Sequence, residues 1–211
     1  MRLEQPSTIP FLGEAGQQGQ VLEGLYVAGS DAAAGALIAP PHPLYGGSIL
    51  NPVVTELALR CQTLEMTSLR FNWRGVGASA GEASGEPDDS LADYAAALAF
   101  FEDCVSGPIV ACGYSWGALA AHRAIEGHGA VRRLALVAPP AAMLDGARLE
   151  AFAGELFVAV GENDSLAAPA DLEKLCSGLP NAHFVLLDGA DHFFGAGAGA
   201  LGRAFEAWLQ S

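Results

Sequence analysis

Two serines of this 211-residue chain stand in the pattern G-x-S-x-G, which is typical of a nucleophilic serine on a tight turn. Ser115 lies in the segment GYSWG, and Ser79 lies in the segment GASAG. A serine hydroxyl is a weak nucleophile at neutral pH, so it needs a histidine that takes its proton and an acid that orients the histidine. Because the chain contains 26 glycines, the pattern alone does not choose between the two serines.

The elements that must position these side chains follow from the apolar runs of the sequence. Strand-like runs alternate with longer helix-like stretches, which predicts an α/β fold with a mostly parallel central sheet of about seven to eight strands and helices on both faces. The strand-like runs are QVLEGLYVA, GALIAP, TSLRFNW, PIVACGY, RRLALVAP, ELFVAVG and HFVLLDG. Helices are expected to begin at Asn51-Pro52, at Asp89 or Ser90 and after Trp116, and to cover residues 169–176 and 200–209.

This arrangement separates the two serines, since sites in such sheets form at the carboxyl ends of the strands. Ser115 directly follows the apolar run 109–112, and a helix-forming run begins immediately after it. A strand, a tight turn and a helix are the order that a nucleophile elbow requires. Ser79 stands within a glycine-rich connection, and no helix-forming run follows it directly. The sequence therefore favours Ser115 as the nucleophile.

The base is expected to be His192, because it stands in a loop just after the last strand-like run. His122 lies within the helix that follows Ser115, His128 lies in a glycine-rich turn, and His183 begins a strand. His42, in the segment PPHPLYGG, is better placed to shape a loop.

The orienting acid is expected to be Asp164, which follows the strand-like run 157–160. Glu162 in the same loop is the nearest rival. Asp191 is next to His192 in the sequence, and adjacent side chains rarely face each other.

The oxyanion hole of such a site needs two backbone N–H groups. One is expected from Trp116, the residue after the nucleophile. The other is expected from the loop 41–47, where prolines cannot donate, so Leu44 or Tyr45 must supply it. We favour Leu44.

Composition and charge exclude several classes of protein. The formal net charge of −14 repels phosphate backbones and anionic lipids, so neither nucleic acid nor a membrane is an expected partner. The N-terminal segment has no apolar run of signal-peptide length, and the sequence has no run of about 18 apolar residues. The four cysteines are widely spaced, which indicates reduced thiols in a cytoplasmic protein. We expect one domain over residues 1–211, with no cofactor and no metal; the oligomeric state is left open.

Six segments in order resemble one family. They are PPHPLYGGSILNPVV, LRFNWRGVGASAGE, GYSWGA, LVAPP, GENDSL and DGADHFF. Together they resemble the α/β-hydrolase superfamily over nearly the whole chain, and within it small lidless bacterial hydrolases whose loop reads His-Pro-His-Pro followed by a Gly-Gly pair. Pro40 stands where the first histidine of that loop would be. The resemblance implies serine-hydrolase chemistry on an ester-like bond, with Ser115, Asp164 and His192 as the triad.

The expected function is that of a carboxylesterase or thioesterase that acts on a small acyl substrate. Only about fifteen residues, 140–154, separate two strand-like runs, which is too short for a lid of several helices. We therefore expect an open, shallow site bordered by Leu44, Tyr45, Trp116 and Phe193. The alternatives are dienelactone-type or peptidase activity, and a binding or non-hydrolytic, lyase-like role. The sequence does not discriminate an oxygen ester from a thioester.

Overall fold

The computed structural model describes residues 3–11 and 19–211, apart from the side chains of residues 31–33. Residues 1–2 and 12–18 of the predicted domain lie outside the described part. Among the described residues, eight strands form one sheet in the order β1-β2-β4-β3-β5-β6-β7-β8. The strands are β1 (Gln5–Pro10), β2 (Val21–Val27), β3 (Asp31–Ala39), β4 (Met66–Phe71), β5 (Ile109–Tyr114), β6 (Val131–Val137), β7 (Glu155–Gly161) and β8 (Ala182–Leu187).

The sheet is mostly parallel, and only β2 runs against its neighbours. β2 pairs antiparallel with β1 and with β4, whereas every pair from β4 through β3 to β8 is parallel. The parallel strands therefore end at one edge of the sheet, and their following loops meet there. The predicted fold class is confirmed.

Six helices cover this sheet within the described ranges. They are α1 (Pro52–Thr63), α2 (Pro87–Glu102), α3 (Trp116–Ala124), α4 (Gly146–Ala151), α5 (Pro169–Ser177) and α6 (Ala198–Leu209). α1 packs against α6 on one face, and α2 packs against α3 on the other. Because both faces are covered, the central strand β5 is buried along its whole length, as its unbroken apolar sequence requires.

The helix starts follow local capping chemistry. Asn51 caps α1 by accepting a hydrogen bond from the N–H of Val53 at 2.9 Å, and Pro52 occupies the first helical position, as predicted. α2 begins earlier than the predicted Asp89 or Ser90. Pro87 opens it, which leaves Asp88 and Asp89 in the first turn, where the helix dipole favours negative charge.

The edge strand β1 was not predicted from the sequence. Of its six residues only Ile9 is buried, and prolines stand at positions 6 and 10. Proline is tolerated on an edge strand because it lacks only an N–H that faces solvent. The strand therefore carries neither the apolar run nor the alternation that marks the others.

The connection between β6 and β7 is short, as predicted. It contains one 3-10 turn (Ala141–Met143) and the six-residue helix α4. No lid therefore covers the carboxyl ends of the strands within the described residues. In the same part of the chain, none of the helices has the length and apolar character needed to cross a bilayer.

Candidate active site

Ser115 occupies a strained turn between β5 and α3. Its φ of 53° and ψ of −112° are unusual for a residue with a side chain, and such strain clusters at functional sites. The N–H of Ser115 donates to the carbonyl oxygen of Val137 at 2.7 Å, which fixes the turn against β6. The turn lies at the N-terminus of α3, where the helix dipole favours developing negative charge.

Glycine is required on both sides of this turn. A Cβ on Gly113 would meet the carbonyl oxygen of Gly117 at 2.1 Å. A Cβ on Gly117 would meet the carbonyl oxygens of Pro40 and Ala39 at 2.4 and 2.6 Å. The two glycines of the G-x-S-x-G pattern therefore let the strand, the helix and the loop after β3 approach one another closely.

The structure brings the three predicted triad side chains into one chain of hydrogen bonds. The Nε2 atom of His192 lies 3.0 Å from the Oγ atom of Ser115. The Nδ1 atom of the same ring lies 2.8 Å from Oδ2 of Asp164. Asp164 and His192 are buried, whereas Ser115 is partly exposed. A hydroxyl reachable from outside is thus backed by a buried imidazole and a buried carboxylate.

Asp164 is held as a carboxylate by its hydrogen bonds. Its Oδ1 atom accepts the N–H groups of Leu166 and Ala167, each at 2.8 Å, and Oδ2 faces His192. Burial would raise the pKa of this carboxyl, but the hydrogen bonds from His192 and the two amides outweigh burial, and the pKa lies below its ordinary value. A charged Asp164 fixes the Nδ1–H tautomer of His192 and leaves Nε2 free to accept a proton.

The rival acids have other roles. The side chain of Glu162 accepts the N–H of Gly189 at 3.0 Å and so ties the loop after β7 to the loop after β8. The side chain of Asp191 accepts the N–H of Phe193 at 3.1 Å within its own turn. The carboxylate that hydrogen-bonds the imidazole of His192 is that of Asp164.

The N–H groups of Leu44 and Tyr45, the predicted oxyanion donors of the loop after β3, have acceptors within that loop. Residues Pro43–Tyr45 form a 3-10 turn, in which the N–H of Leu44 donates to Nδ1 of His42 at 3.2 Å. The N–H of Tyr45 donates to the carbonyl oxygen of His42 at 3.1 Å. Both groups are thus used within the loop itself, because the turn folds them back toward His42.

The N–H groups of His42 and Trp116 differ from those of Leu44 and Tyr45. The N–H of His42 has no acceptor among the described residues. Trp116 is the first residue of α3, and N–H groups in a first helical turn lack intrahelical acceptors. The His42 ring lies 4.4 Å from the Trp116 ring, so the two residues are in contact. The signal that could have pointed to His42 is that Pro40 and Pro41 lack an N–H and leave His42 as the first donor after β3.

Aromatic contacts fix the loop after β3 in place. The His42 ring contacts the rings of Trp116 and Tyr45, whose centroids lie 4.4 Å and 4.7 Å away. The indole N–H of Trp116 donates to Oγ of Ser90 at 2.6 Å, and that of Trp73 donates to the carbonyl oxygen of Pro41 at 2.8 Å. Burial lowers the pKa of His42, which favours a neutral ring.

The border of the site is open and apolar. The side chains of Leu44, Tyr45 and Phe193 are 56%, 86% and 71% exposed, and Trp116 is partly buried. The ring of Phe193 lies 5.6 Å from that of His192. The four residues predicted to border the site thus lie on two loops and one helix start at the same edge of the sheet.

Ser79 has a structural role. Its Oγ atom accepts the N–H of Glu23 at 2.9 Å and donates to the carbonyl oxygen of Asn72 at 3.0 Å. Its side chain is buried, and α2 begins only at Pro87. The second G-x-S-x-G match therefore joins β2 to the loop after β4.

No metal centre is formed by the residues that the structure describes, since none of their His, Cys, Asp and Glu side chains form a group of three or more that could hold an ion. All four cysteines are free, and three of them, Cys61, Cys112 and Cys176, are buried.

The strand order, the elbow after β5 and the acid and histidine after the last two strands define the class of the protein as an α/β hydrolase. Residues 46–208 match the sequence model of the alpha/beta hydrolase family, and the chain belongs to that family.

Known proteins are similar over most of the chain. A serine hydrolase homologue from Coxiella burnetii is 27% identical, with a TM-score of 0.84 and 97% of each chain covered. A serine hydrolase without a lid from Xanthomonas campestris is 24% identical and shares the fold, with a TM-score of 0.83 and coverage of 98% of this chain and 94% of that one. An uncharacterised protein of Rickettsia prowazekii is 31% identical over 193 residues, which are 85% of this chain and 79% of the relative.

Proposed function

We propose that the protein is a serine hydrolase that cleaves an ester bond of small acyl substrates through an acyl-enzyme on Ser115. The observation that carries the proposal is the continuous hydrogen-bonded chain from Asp164 through His192 to the strained Ser115. This arrangement supplies a nucleophile, a base and an orienting acid in the geometry that acyl transfer requires.

In the first step, Oγ of Ser115 forms a bond to the ester carbonyl carbon while Nε2 of His192 takes the hydroxyl proton. The π electrons of the carbonyl move to its oxygen, which becomes an oxyanion. When the oxyanion collapses, the bond to the leaving alcohol breaks, and Nε2 gives its proton to the departing oxygen. The products of this step are the acyl-enzyme and the free alcohol.

In the second step, water replaces the alcohol. Nε2 of His192 takes a proton from the water while the water oxygen attacks the acyl carbonyl carbon. Collapse of this second oxyanion breaks the bond to Oγ of Ser115, which regains its proton from Nε2. The carboxylic acid is released, and the charged Asp164 stabilises the imidazolium that forms in both steps.

We assign the oxyanion hole to the N–H groups of Trp116 and His42, in place of Leu44. Support comes from the close approach of the loop after β3 to the start of α3, which leaves no room for a Cβ on Gly117, and from the internal acceptors that engage the N–H groups of Leu44 and Tyr45. Such donors are fixed before the reaction and stabilise charge where it develops.

The surroundings of the site favour neutral esters with apolar acyl groups. Six of the nine exposed large apolar side chains of the described residues stand on loops at the carboxyl ends of the strands. They are Leu44, Tyr45, Leu50, Met143, Leu166 and Phe193. An apolar border of this kind lowers the free energy of an apolar acyl group that leaves water.

Charge at the same edge disfavours anionic substrates. The connecting loops after β3 to β8 carry one arginine, Arg74, whose guanidinium is held by Asp89 and Asp93. Their carboxylates are Glu82, Glu86, Asp145, Glu162, Asp164, Asp188 and Asp191. A polyanion such as an acyl-coenzyme A thioester meets repulsion there, so we propose an oxygen ester with an uncharged leaving group as the substrate.

The experiment is a time course of hydrolysis with p-nitrophenyl esters of increasing acyl length, for the wild type and for Ser115→Ala. We expect hydrolysis by the wild type and a loss of several orders of magnitude in the variant. A fluorophosphonate probe is expected to label the wild type alone. A wild type that neither hydrolyses nor labels would refute the proposal and favour a binding or non-hydrolytic role.

A further inference from the structure

The residue before the nucleophile contacts the loop that carries the base. The phenol of Tyr114, the second residue of the G-x-S-x-G segment, donates a hydrogen bond to the backbone carbonyl oxygen of His192 at 2.7 Å. This distance is typical of a good O–H···O bond. The two residues are 78 positions apart in the sequence, so the bond joins the nucleophile elbow directly to the base loop.

The bond lies in the interior of the protein. Tyr114 is only 2% exposed, and His192 is 6% exposed. The Tyr114 ring lies 5.7 Å from the His192 ring and 6.0 Å from the ring of Phe194, which is also buried. Among the described residues no other donor reaches the carbonyl oxygen of His192.

The base loop is tied to the loop after β7 by the bonds of Gly189 and Ala190, but the carbonyl of His192 itself is held by Tyr114. Residues 188–197 connect β8 to α6 without regular secondary structure. Tyr114, in contrast, is the last residue of the fully buried strand β5. The hydrogen bond from Tyr114 therefore ties the backbone of His192 to the rigid strand β5.

We propose that Tyr114 is a positioning residue for His192. Its hydroxyl holds the backbone of His192 in the position that lets Nε2 reach Oγ of Ser115. The inference rests on the proposed function of Ser115 and His192. Tyr114 touches neither the substrate nor the reacting atoms, and it acts only through the base.

The consequence follows from the geometry of proton transfer. The transfer from Oγ to Nε2 depends on their separation of 3.0 Å, and a displacement of about 1 Å at a reacting group costs about 10²-fold in rate. Asp164 holds the other side of the imidazole, so it restrains the orientation of the ring but not the backbone that carries it. Without the phenol, the carbonyl oxygen of His192 is buried and has no hydrogen-bond donor. A displacement of the loop that exposes this oxygen to water then lowers the free energy of the protein.

The phenol remains a donor throughout the working range of the enzyme. Burial, and after it the negative charges of Asp164 and Asp191, raises the pKa of Tyr114 above its ordinary value. The effect of its hydroxyl is therefore expected at every pH at which His192 acts as a base.

Tyr94 provides a matched control. It is also fully buried, and its hydroxyl lies 3.3 Å from the carbonyl oxygen of Cys112 and 3.4 Å from that of Leu37. Both acceptors are in central strands and not in the base loop. Tyr94→Phe thus removes a buried hydroxyl from the core without changing the support of His192.

The experiment compares Tyr114→Phe, Tyr94→Phe and the wild type in thermal unfolding, in kcat and KM for a p-nitrophenyl ester, and in the rate of fluorophosphonate labelling. For Tyr114→Phe we expect kcat and the labelling rate to fall together by about 10- to 100-fold, with KM within about twofold. For Tyr94→Phe we expect kcat within about twofold of the wild type, at a similar loss of melting temperature. Unchanged kcat in Tyr114→Phe, or equal losses in both variants, would overturn the proposal.

A variant that restores the donor and a pair of crystal structures also test the role of Tyr114. 4-Aminophenylalanine at position 114 restores an N–H donor at the ring position of the hydroxyl, and we expect it to recover most of the lost kcat; if Tyr114→Phe does not fold, this variant decides. If the wild type hydrolyses no ester and takes no label, the proposed function fails by itself. Crystal structures of the wild type and Tyr114→Phe then test the positioning alone, because an unchanged distance from Nε2 to Oγ would contradict it.

Discussion

The Nε2 atom of His192 lies 3.0 Å from the Oγ atom of Ser115, although 77 positions separate the two residues in the sequence. Ser115 directly follows the parallel strand β5, and His192 stands in the loop that follows the parallel strand β8. The sheet therefore brings together two loops that the sequence keeps far apart. Nδ1 of the same ring faces Asp164 at 2.8 Å, so Nε2 is the ring atom that can take the proton of Ser115.

Asp164→Asn tests the orienting acid. The variant keeps the shape of the side chain but loses the charge that fixes the Nδ1–H tautomer, so we expect kcat to fall by about 10³- to 10⁴-fold. Glu162→Gln is the matched control, because its amide oxygen still accepts the N–H of Gly189. Steady-state kinetics with a p-nitrophenyl ester measures both. Similar kcat values for the two variants would argue against Asp164 as the acid.

The two G-x-S-x-G serines predict opposite outcomes when each is replaced by alanine. Ser79→Ala removes the acceptor of the partly buried N–H of Glu23 and the donor to the carbonyl oxygen of Asn72, so we expect a loss of about 1–3 kcal/mol in the free energy of unfolding and little change in kcat. Ser115→Ala is expected to abolish hydrolysis while the free energy of unfolding changes by less than about 1 kcal/mol. Urea unfolding and ester hydrolysis on both variants give the comparison. A catalytic defect in Ser79→Ala at full stability would contradict our structural role for Ser79.

Much of the fold and of the arrangement of the three triad residues could be predicted from the sequence. Strand and helix periodicities are local properties, and the elbow pattern marks a turn that only a few residue types allow. The parallel sheet then brings the segments after β5, β7 and β8 to one edge, which is why Ser115, Asp164 and His192 could be selected by their position after strands. That they are the catalytic groups remains our proposal.

Three features were missed for physical reasons. β1 lacks an apolar pattern because it lies at the edge of the sheet and buries only Ile9. The 3-10 turn after β3, which uses the N–H of Leu44 for an internal bond, depends on the path of the whole loop and not on a local pattern. The contact between Tyr114 and His192 joins distant segments and leaves no local signal in the sequence.

Gly117→Ala tests the close approach of α3 to the loop after β3. Alanine in a helix is ordinarily favoured over glycine by about 1 kcal/mol. Here its Cβ would lie 2.4 Å from the carbonyl oxygen of Pro40, so we expect the free energy of unfolding to fall by about 1–3 kcal/mol and kcat to fall as the loop moves. Gly129→Ala is the control, since a Cβ there meets no atom within 4 Å. A stable and active Gly117→Ala would show that the contact is not needed.

Ionic strength tests the acidic edge of the site. We expect kcat/KM for an acyl-coenzyme A thioester to be low and to rise several-fold between low and high salt, because salt screens the repulsion. The value for a neutral p-nitrophenyl ester is expected to change little. Glu82→Gln combined with Glu86→Gln should weaken the salt dependence, whereas Glu155→Gln, at the opposite end of a strand, should not. A salt dependence that is equal for both substrates would contradict the proposed selectivity.

The pH dependence of stability tests His122, which is buried on α3. Its Nε2 atom accepts the N–H of Asp145 at 3.0 Å, and its Nδ1 atom has no hydrogen-bond partner among the described residues. Burial, and after it the positive charge of Arg148, lowers the pKa of His122 to about 4 from its ordinary 6.5; Asp145 opposes the shift and Arg123 adds to it.

The free energy of unfolding falls as the pH falls, because the unfolded chain binds a proton at His122 more readily than the folded protein does. Between these two pKa values the unfolded chain binds a proton that the folded protein excludes, so the contribution of a neutral His122 is complete above pH 6.5 and is lost as the pH falls toward 4. From about pH 7.5 to about pH 5 we expect this residue to account for a loss of about 2 kcal/mol in the free energy of unfolding. His122→Gln keeps an acceptor for the N–H of Asp145 but does not titrate. Urea unfolding at both pH values should therefore show a smaller fall in the variant than in the wild type, and equal falls would mean that His122 does not exclude its proton in the folded state.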